Sequence, residues 1–338
     1  DNMAQNGTKL YESVSAYARE WAEKGLVEKG FVDYIDNPNS VSFPWSVIDK
    51  ITPRPDPAVR QLVKESGFEN INDIVTANKS YAAPFVNAEE SEYLVIEDFF
   101  PNGRPNLEEG GVIFTDRETV DKVEKMKVGT CLNPLHTALA IFGCLLGHEK
   151  ISEEMKDPEL RTLVEKIGYE EAFLVVVDPG IIDPKEFIDE VLNIRFPNPF
   201  MPDTPQRIAT DTSQKLGIRF GGTIKAYMAR EDLDVRDLKL IPLVIAGWCR
   251  YLMGVDDEGE KMDLSPDPLL DDLLPHVENI SLGDKGPFHE ELKPILSNAN
   301  IFGIDLYEAG LGAKIEGYFE ELVAGKGAVR ETLKKYVY

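Results

Sequence analysis

Apolar residues recur at helical spacing near the start of the chain. Between residues 9 and 25, Leu10, Val14, Tyr17, Ala18 and Trp21 fall on one side, which predicts an amphipathic helix. Asn37-Pro38-Asn39-Ser40 is a turn signal. The period then shortens to two. Val47-Ile48-Asp49-Lys50-Ile51-Thr52 predicts a strand with Asp49 on its polar face, and Tyr93 to Asp98 predicts another. Pro53, Pro55 and Pro57 break structure between them. Residues 57–79 read as short helices with loops, and 101–105 as a loop.

After Thr115 helical patterns dominate. Asp116 to Lys127 is polar and helix-forming. Asp157-Pro158 and Asp183-Pro184 each pair an N-cap with proline at the first helical position. The first leads the stripe Leu160, Leu163, Val164 and Ile167. Phe173 to Val177 has the composition of a buried strand between helical flanks. Asp232 to Gly254, Leu269 to Leu274 and Ile315 to Val323 predict further helices. The expected fold is mainly α, a large helical domain after a smaller mixed α/β segment, with the boundary near residue 116.

Size and charge narrow the function. With 338 residues the chain can form two domains, and its net charge is -24. Such a field repels phosphate backbones and anionic bilayers, which argues against nucleic acid and membrane as partners. Cys131, Cys144 and Cys249 show no metal-ligand spacing; they fit buried thiols in a reducing, cytoplasmic compartment. The longest apolar run, Thr137 to Gly147, is well short of the ~18–20 residues of a membrane span. No signal-peptide pattern precedes it, and the first residue is not Met, so the chain is expected to be part of a longer protein.

Two stretches carry candidate chemistry. In Lys127-Val-Gly-Thr-Cys-Leu-Asn133-Pro-Leu-His136, Asn133 and His136 are three apart and share a helix face, as do Glu124 and Lys127. A lysine can act as a base when burial lowers its pKa, and an asparagine amide can donate to a developing oxyanion. Equally, Asn133 could be an N-cap with Pro134 at the first helical position. In Arg207-Ile-Ala-Thr-Asp211-Thr-Ser-Gln-Lys215, spacings of four would line Arg207, Asp211 and Lys215 along one helix, either as a site or as a solvated ion-pair ladder. Gly310-Leu-Gly312 and Gly325-Lys-Gly327 fall short of a dinucleotide fingerprint, and Asp256-Asp257-Glu258-Gly259 of a calcium loop. His148, His276 and His289 lack paired-ligand context, and no metal site is expected.

Taken in order, these segments resemble the mannitol dehydrogenase (polyol-specific long-chain dehydrogenase) family. The resemblance rests on Asp1-Asn2 with Asn6-Gly7, on Tyr93 to Pro105 and on Asn133 and His136 followed by Thr137-Ala-Leu-Ala. It continues through Arg195-Phe-Pro-Asn-Pro199, then Arg207, Ile208, Ala209, Asp211, Ser213 and Lys215, and Trp248 to Gly259. The family's lysine stands five positions before its asparagine. Here that position is Val128, and Lys127 lies six before Asn133, as though one residue were inserted between them. Pro134 removes a backbone donor to residue 130, which suits a local bulge there.

The resemblance implies a metal-independent oxidoreductase that moves hydride between a nicotinamide, NAD or NADP with NAD preferred, and a secondary alcohol. Residues 1–116 would be the end of the NAD(P)-binding domain, whose Rossmann core the chain lacks, and 117–338 the helical substrate-binding and catalytic domain. Lys127 would be the base, with Asn2 and Asn133 donating to the reacting oxygen and Asn2 also touching the cofactor. Glu124 would relay protons. His136, Arg207, Lys215 and Asp49 would bind the rest of a small sugar acid or polyol. Thr-Cys-Leu-Asn-Pro-Leu-His is most like the fructuronate reductase branch, which implies D-fructuronate reduction to D-mannonate. Mannitol 2-dehydrogenase and tagaturonate reductase are the alternative activities. An inactive helical interaction module is the alternative of another class.

Overall fold

The computed structural model describes residues 3–50, 52, 55–201 and 203–338. It is 53% helical with few strands, as the mainly α expectation requires. The chain packs as two compact units, 1–125 with 177–183 and 126–176 with 184–338. The division falls after Lys125 and not near 116. The polar helix Arg117–Met126 lends Val120 and Val123 to the core of the first unit, beside Val47 and Val95.

The first unit is built on a three-stranded sheet. Its central strand, Tyr93–Glu97, runs antiparallel to Ser46–Asp49, with Val47 opposite Val95, and parallel to Ile113–Thr115. Side chains two apart on a strand point the same way, so Asp49 shares the inward face of Val47. Asp49 is 3% exposed, a correction to the expectation that it lies on a polar face. The helix Asn6–Glu23 buries Gly7, Ser15 and Ala18, while Leu10, Tyr17 and Trp21 are exposed, also against expectation. Polar contacts set its facing: Ser15 Oγ and Tyr11 Oη donate to Asp36 at 2.9 and 3.1 Å, and Arg19 pairs with Asp36 at 2.7 Å. Within 57–79 the helix Pro57–Glu65 forms, capped by Asp56. The short strand Ile74–Val75, which the pattern did not predict, pairs with Tyr81–Ala82.

The second unit is helical around two apolar rods, Asn133–Leu145 and Leu240–Tyr251, whose residues are nearly all buried. Buried charges finish its helices. Glu171 accepts the backbone N–H groups of Lys239, Leu240 and Ile241 at 2.7, 2.8 and 2.9 Å, and so caps Leu240–Tyr251 from afar. Asp257 does the same for Ala328–Val337 through Val329 and Arg330, so the acidic turn 256–259 has a capping role. Arg250, fully buried, donates to the carbonyls of Val255, Asp256 and Leu322. Asp157 caps Pro158–Lys166 and a helix starts at Pro184, as the Asp-Pro pairs predict. Phe173–Val175 is a 3₁₀ turn and not a strand, because it continues a π turn over Ile167–Ala172. The three cysteines are free and buried, which pushes each thiol up to about 12. The helical run Arg117–Leu145 contains an 18-residue apolar window, 78% of it buried within the protein.

One buried carboxyl stands apart. Glu154 is fully buried, neither oxygen receives a hydrogen bond from the protein, and Gly143 is the neighbour that leaves room for it. Burial first, then Asp157, pushes its carboxyl well above the usual range. A carboxyl raised in this way contributes its stability below its unfolded pKa, about 4.3, and loses it as pH rises. Glu154→Gln is therefore expected to stabilise the protein at pH 7 by about 1–3 kcal/mol, a Tm gain of roughly 2–6 °C. The gain should close as pH falls towards about 4. Thermal unfolding of both proteins across pH checks this, and an equal gain at both ends contradicts it.

Candidate active site

The helix Arg117–Met126, with half-buried Glu124 in its last turn, runs straight into a π turn over Lys127–Cys131. Leu132 N donates to Lys127 O at 3.1 Å, an i→i+5 bond. A looser turn of this kind is the local bulge expected before Pro134. Pro134 has no N–H to return to Thr130, and the α-ladder resumes with His136 N on Leu132 O at 3.0 Å. Lys127 is buried, 6% exposed, as the first residue of the turn.

Asn133 is not the N-cap that its position before Pro134 allows. It is the first residue of Asn133–Leu145, and its Oδ1 is buried without a hydrogen bond. His136 follows three residues on, buried against Phe196 with ring centroids 5.0 Å apart. Its Nε2 makes no hydrogen bond, although Asp203 Oδ2 lies 3.4 Å away. Asp203 Oδ1 instead receives Arg207 Nη2.

Arg207, Asp211 and Lys215 do not share a helix. Pro205–Ile208 is a single turn capped by Thr204, and Asp211 takes a left-handed backbone with φ 53° that ends it. Neither does an ion-pair ladder form: Arg207 turns back to Asp203, and Lys215 Nζ donates to Thr210 O. The break brings cations round to the histidine. Burial, then Arg219, Arg207, Arg195 and Lys215, drive the His136 imidazole down to about 3. His136 is therefore neutral at pH 7, and its contact with Asp203 is not a charge pair.

Arg219 was not among the sequence candidates. It lies four beyond Lys215 in a second π turn, Gly217–Gly221, and its Nη1 donates to Thr137 Oγ1. A Cβ on Gly221 would stand 1.8 Å from Phe302 O, and one on Gly217 2.9 Å from Ile301 O. Both glycines let the turn lie directly on the 301–302 backbone. The glycines flanking a lone arginine were the available signal. Asp203 had none. Arg195, quoted only as part of a motif, ends a further π turn, Val191–Arg195.

The structure thus gathers Asn133, His136, Arg207 and Lys215 in the second unit, with Lys127 on the turn leading into them. Asp49 belongs to the sheet of the first unit, and Asn2 lies outside the described residues. Among the described residues no group of three His, Cys, Asp or Glu side chains could hold a metal ion. Gly310 and Gly312 precede a helix with no strand before it, and Gly327 opens Ala328–Val337 in the same way, so neither pair is a dinucleotide turn.

The profile of the mannitol dehydrogenase C-terminal domain matches 119–323. The chain is 60% identical to D-mannonate oxidoreductase of Thermotoga maritima over its whole length, covering 62% of that protein. It is 30% identical to mannitol 2-dehydrogenase of Emericella nidulans, with 90% of this chain and 54% of the relative covered. Its fold matches the Pseudomonas fluorescens mannitol 2-dehydrogenase solved with NAD and D-mannitol, at a TM-score of 0.74 and 28% identity. That match covers 99% of this chain and 61% of the other. The chain spans less than two thirds of the length of these relatives. Because the profile covers more than half of the chain, the protein belongs to the mannitol dehydrogenase family and carries its C-terminal domain.

Proposed function

We propose that the protein is an NAD-dependent, metal-independent oxidoreductase of sugar acids that reduces D-fructuronate to D-mannonate. The observation that carries this is the set of four cations, Arg195, Arg207, Lys215 and Arg219, around a buried neutral His136. Asp203 already pairs with Arg207, and a cluster of cations beside a neutral imidazole suits a substrate that brings a carboxylate. The 60% identity to a D-mannonate oxidoreductase supports the same substrate class. The unpaired Asn133 Oδ1 and His136 Nε2 fit the hydroxyls and carbonyl of such a sugar.

The reduced nicotinamide, NADH, would supply the hydride when bound. The chain's own residues manage charge and protons. As the carbonyl becomes an alkoxide, Lys127 gives it a proton, and in the reverse direction takes one. The Asn133 amide donates to the same oxygen, and the family resemblance gives Asn2 a like role and a contact with the cofactor. Glu124, three residues before Lys127, exchanges protons between the lysine and solvent, and in the reducing direction resupplies the proton that the alkoxide takes. His136, Arg207 and Lys215 hold the remaining groups. Free buried cysteines suit a reducing compartment, so we place the protein in the cytoplasm.

The test is NADH oxidation by the full-length protein with D-fructuronate, D-tagaturonate and D-fructose in parallel. D-fructuronate is expected to react fastest. Preference for D-fructose overturns the sugar-acid reading in favour of a mannitol dehydrogenase. Tight NADH binding with no turnover of any substrate overturns the enzyme reading.

A further inference from the structure

The four cations around His136 are not equally committed. Arg207 is paired with Asp203, and 60% of its side chain is exposed. The Lys215 ammonium donates to the Thr210 carbonyl. Arg219 makes one hydrogen bond, to Thr137 Oγ1, and among the described residues no carboxylate pairs with it. A guanidinium carries five N–H donors in a flat fork, so most of its capacity is unspent. Burial lowers the Arg219 pKa to about 10, a penalty that no internal anion offsets.

Its position is fixed from both ends. Gly217 and Gly221 press the turn that carries it onto the 301–302 backbone. At the other end Thr137 Oγ1, which accepts from Arg219, donates to Asn133 O at 2.9 Å. Arg219 is thereby tied one helical turn from Asn133 and beside His136. A planar fork held at a set distance from the reacting end of a sugar can measure where a carboxylate lies.

We propose that Arg219 is the specificity-determining residue that selects a carboxylate-bearing substrate, by forked pairing with the carboxylate of a keto sugar acid. This rests on the sugar-acid reading above. It moves carboxylate recognition from Arg207 and Lys215, whose polar ends are engaged within the protein, to a residue that no motif included.

The experiment compares wild type, Arg219→Gln and Arg219→Lys in the full-length protein, with D-fructuronate and with D-fructose, which lacks the carboxylate. Arg219→Gln is expected to lower kcat/KM for D-fructuronate by about 100-fold or more, and for D-fructose at least tenfold less. Arg219→Lys, which keeps the charge and loses the fork, should fall between on D-fructuronate. Stabilisation of the NADH-bound protein by D-mannonate in thermal unfolding reads binding without turnover and should shrink in the same order. Equal losses on both substrates, or an undiminished D-mannonate shift in Arg219→Gln, overturn the assignment. A wild type that prefers D-fructose overturns the sugar-acid reading itself, and does so before any variant is compared.

Discussion

Lys127→Ala in the full-length protein is expected to lower turnover of its sugar substrate about 10²–10⁴-fold, with NADH binding largely intact. The loss follows from position and chemistry together. Lys127 is buried, and it begins the π turn Lys127–Cys131 that leads to Asn133 at the start of the next helix. Proton transfer at the alcohol oxygen needs a group that can change its charge there. An alanine offers none, and water in its place is unpositioned. Lys127→Arg separates charge from proton transfer, since a guanidinium keeps the charge and does not give up its proton near neutral pH. Both variants should lose kcat, and the binding step should survive in Arg better than in Ala. Steady-state rates and NADH titration check this. Turnover equal to wild type in Lys127→Ala would sink the assignment, and with it the claim that a one-residue shift leaves the lysine's role in place.

Gly221→Ala is expected to be the most damaging small substitution in the second unit. Its Cβ would stand 1.8 Å from Phe302 O and 2.9 Å from Phe302 C. Those are backbone atoms, so no rotamer change relieves the overlap and the turn or the 301–302 segment must move. Overpacking of this kind costs about 1–3 kcal/mol, a Tm loss of roughly 2–6 °C. Because Arg219 sits two residues away in the same turn, surviving protein should also lose activity on the sugar acid. Gly222→Ala is the control. Nothing lies within 4 Å of its Cβ, and its helical backbone suits alanine, so stability should hold or rise slightly. Unfolding curves of the two variants decide the matter; matching curves would contradict the packing argument.

Much of the architecture is legible in the sequence, and the exceptions have physical causes. Asp157-Pro158 announces its helix because cap and proline act locally. The apolar runs 135–145 and 240–251 announce buried rods. Residues 10, 14, 17 and 21 announce a helix but not its facing. Periodicity marks where apolar side chains are, whereas polar partners such as Asp36 decided what was buried. Phe173 to Val177 misleads because β-branched composition is a weaker determinant than the helical turn it continues. In the site, Asn133 and His136 are readable as a spaced pair on one helix. Arg207 and Lys215 are readable as residues, yet their arrangement depends on the left-handed backbone at Asp211, which nothing in a spacing of four reveals. Asp203 and Arg219 become visible only when three separate turns meet around one imidazole.

Three turns that carry site residues have a common character. Lys127–Cys131, Val191–Arg195 and Gly217–Gly221 are each wound looser than the α-helices they adjoin. A motif written as a fixed gap is in substance a statement about azimuth around a helix axis. A looser turn changes the count while preserving the bearing. At these three places a lineage can therefore gain or lose a residue and still aim the same side chain inward. Searches that insist on counting will overlook such members, and searches that follow phase will keep them.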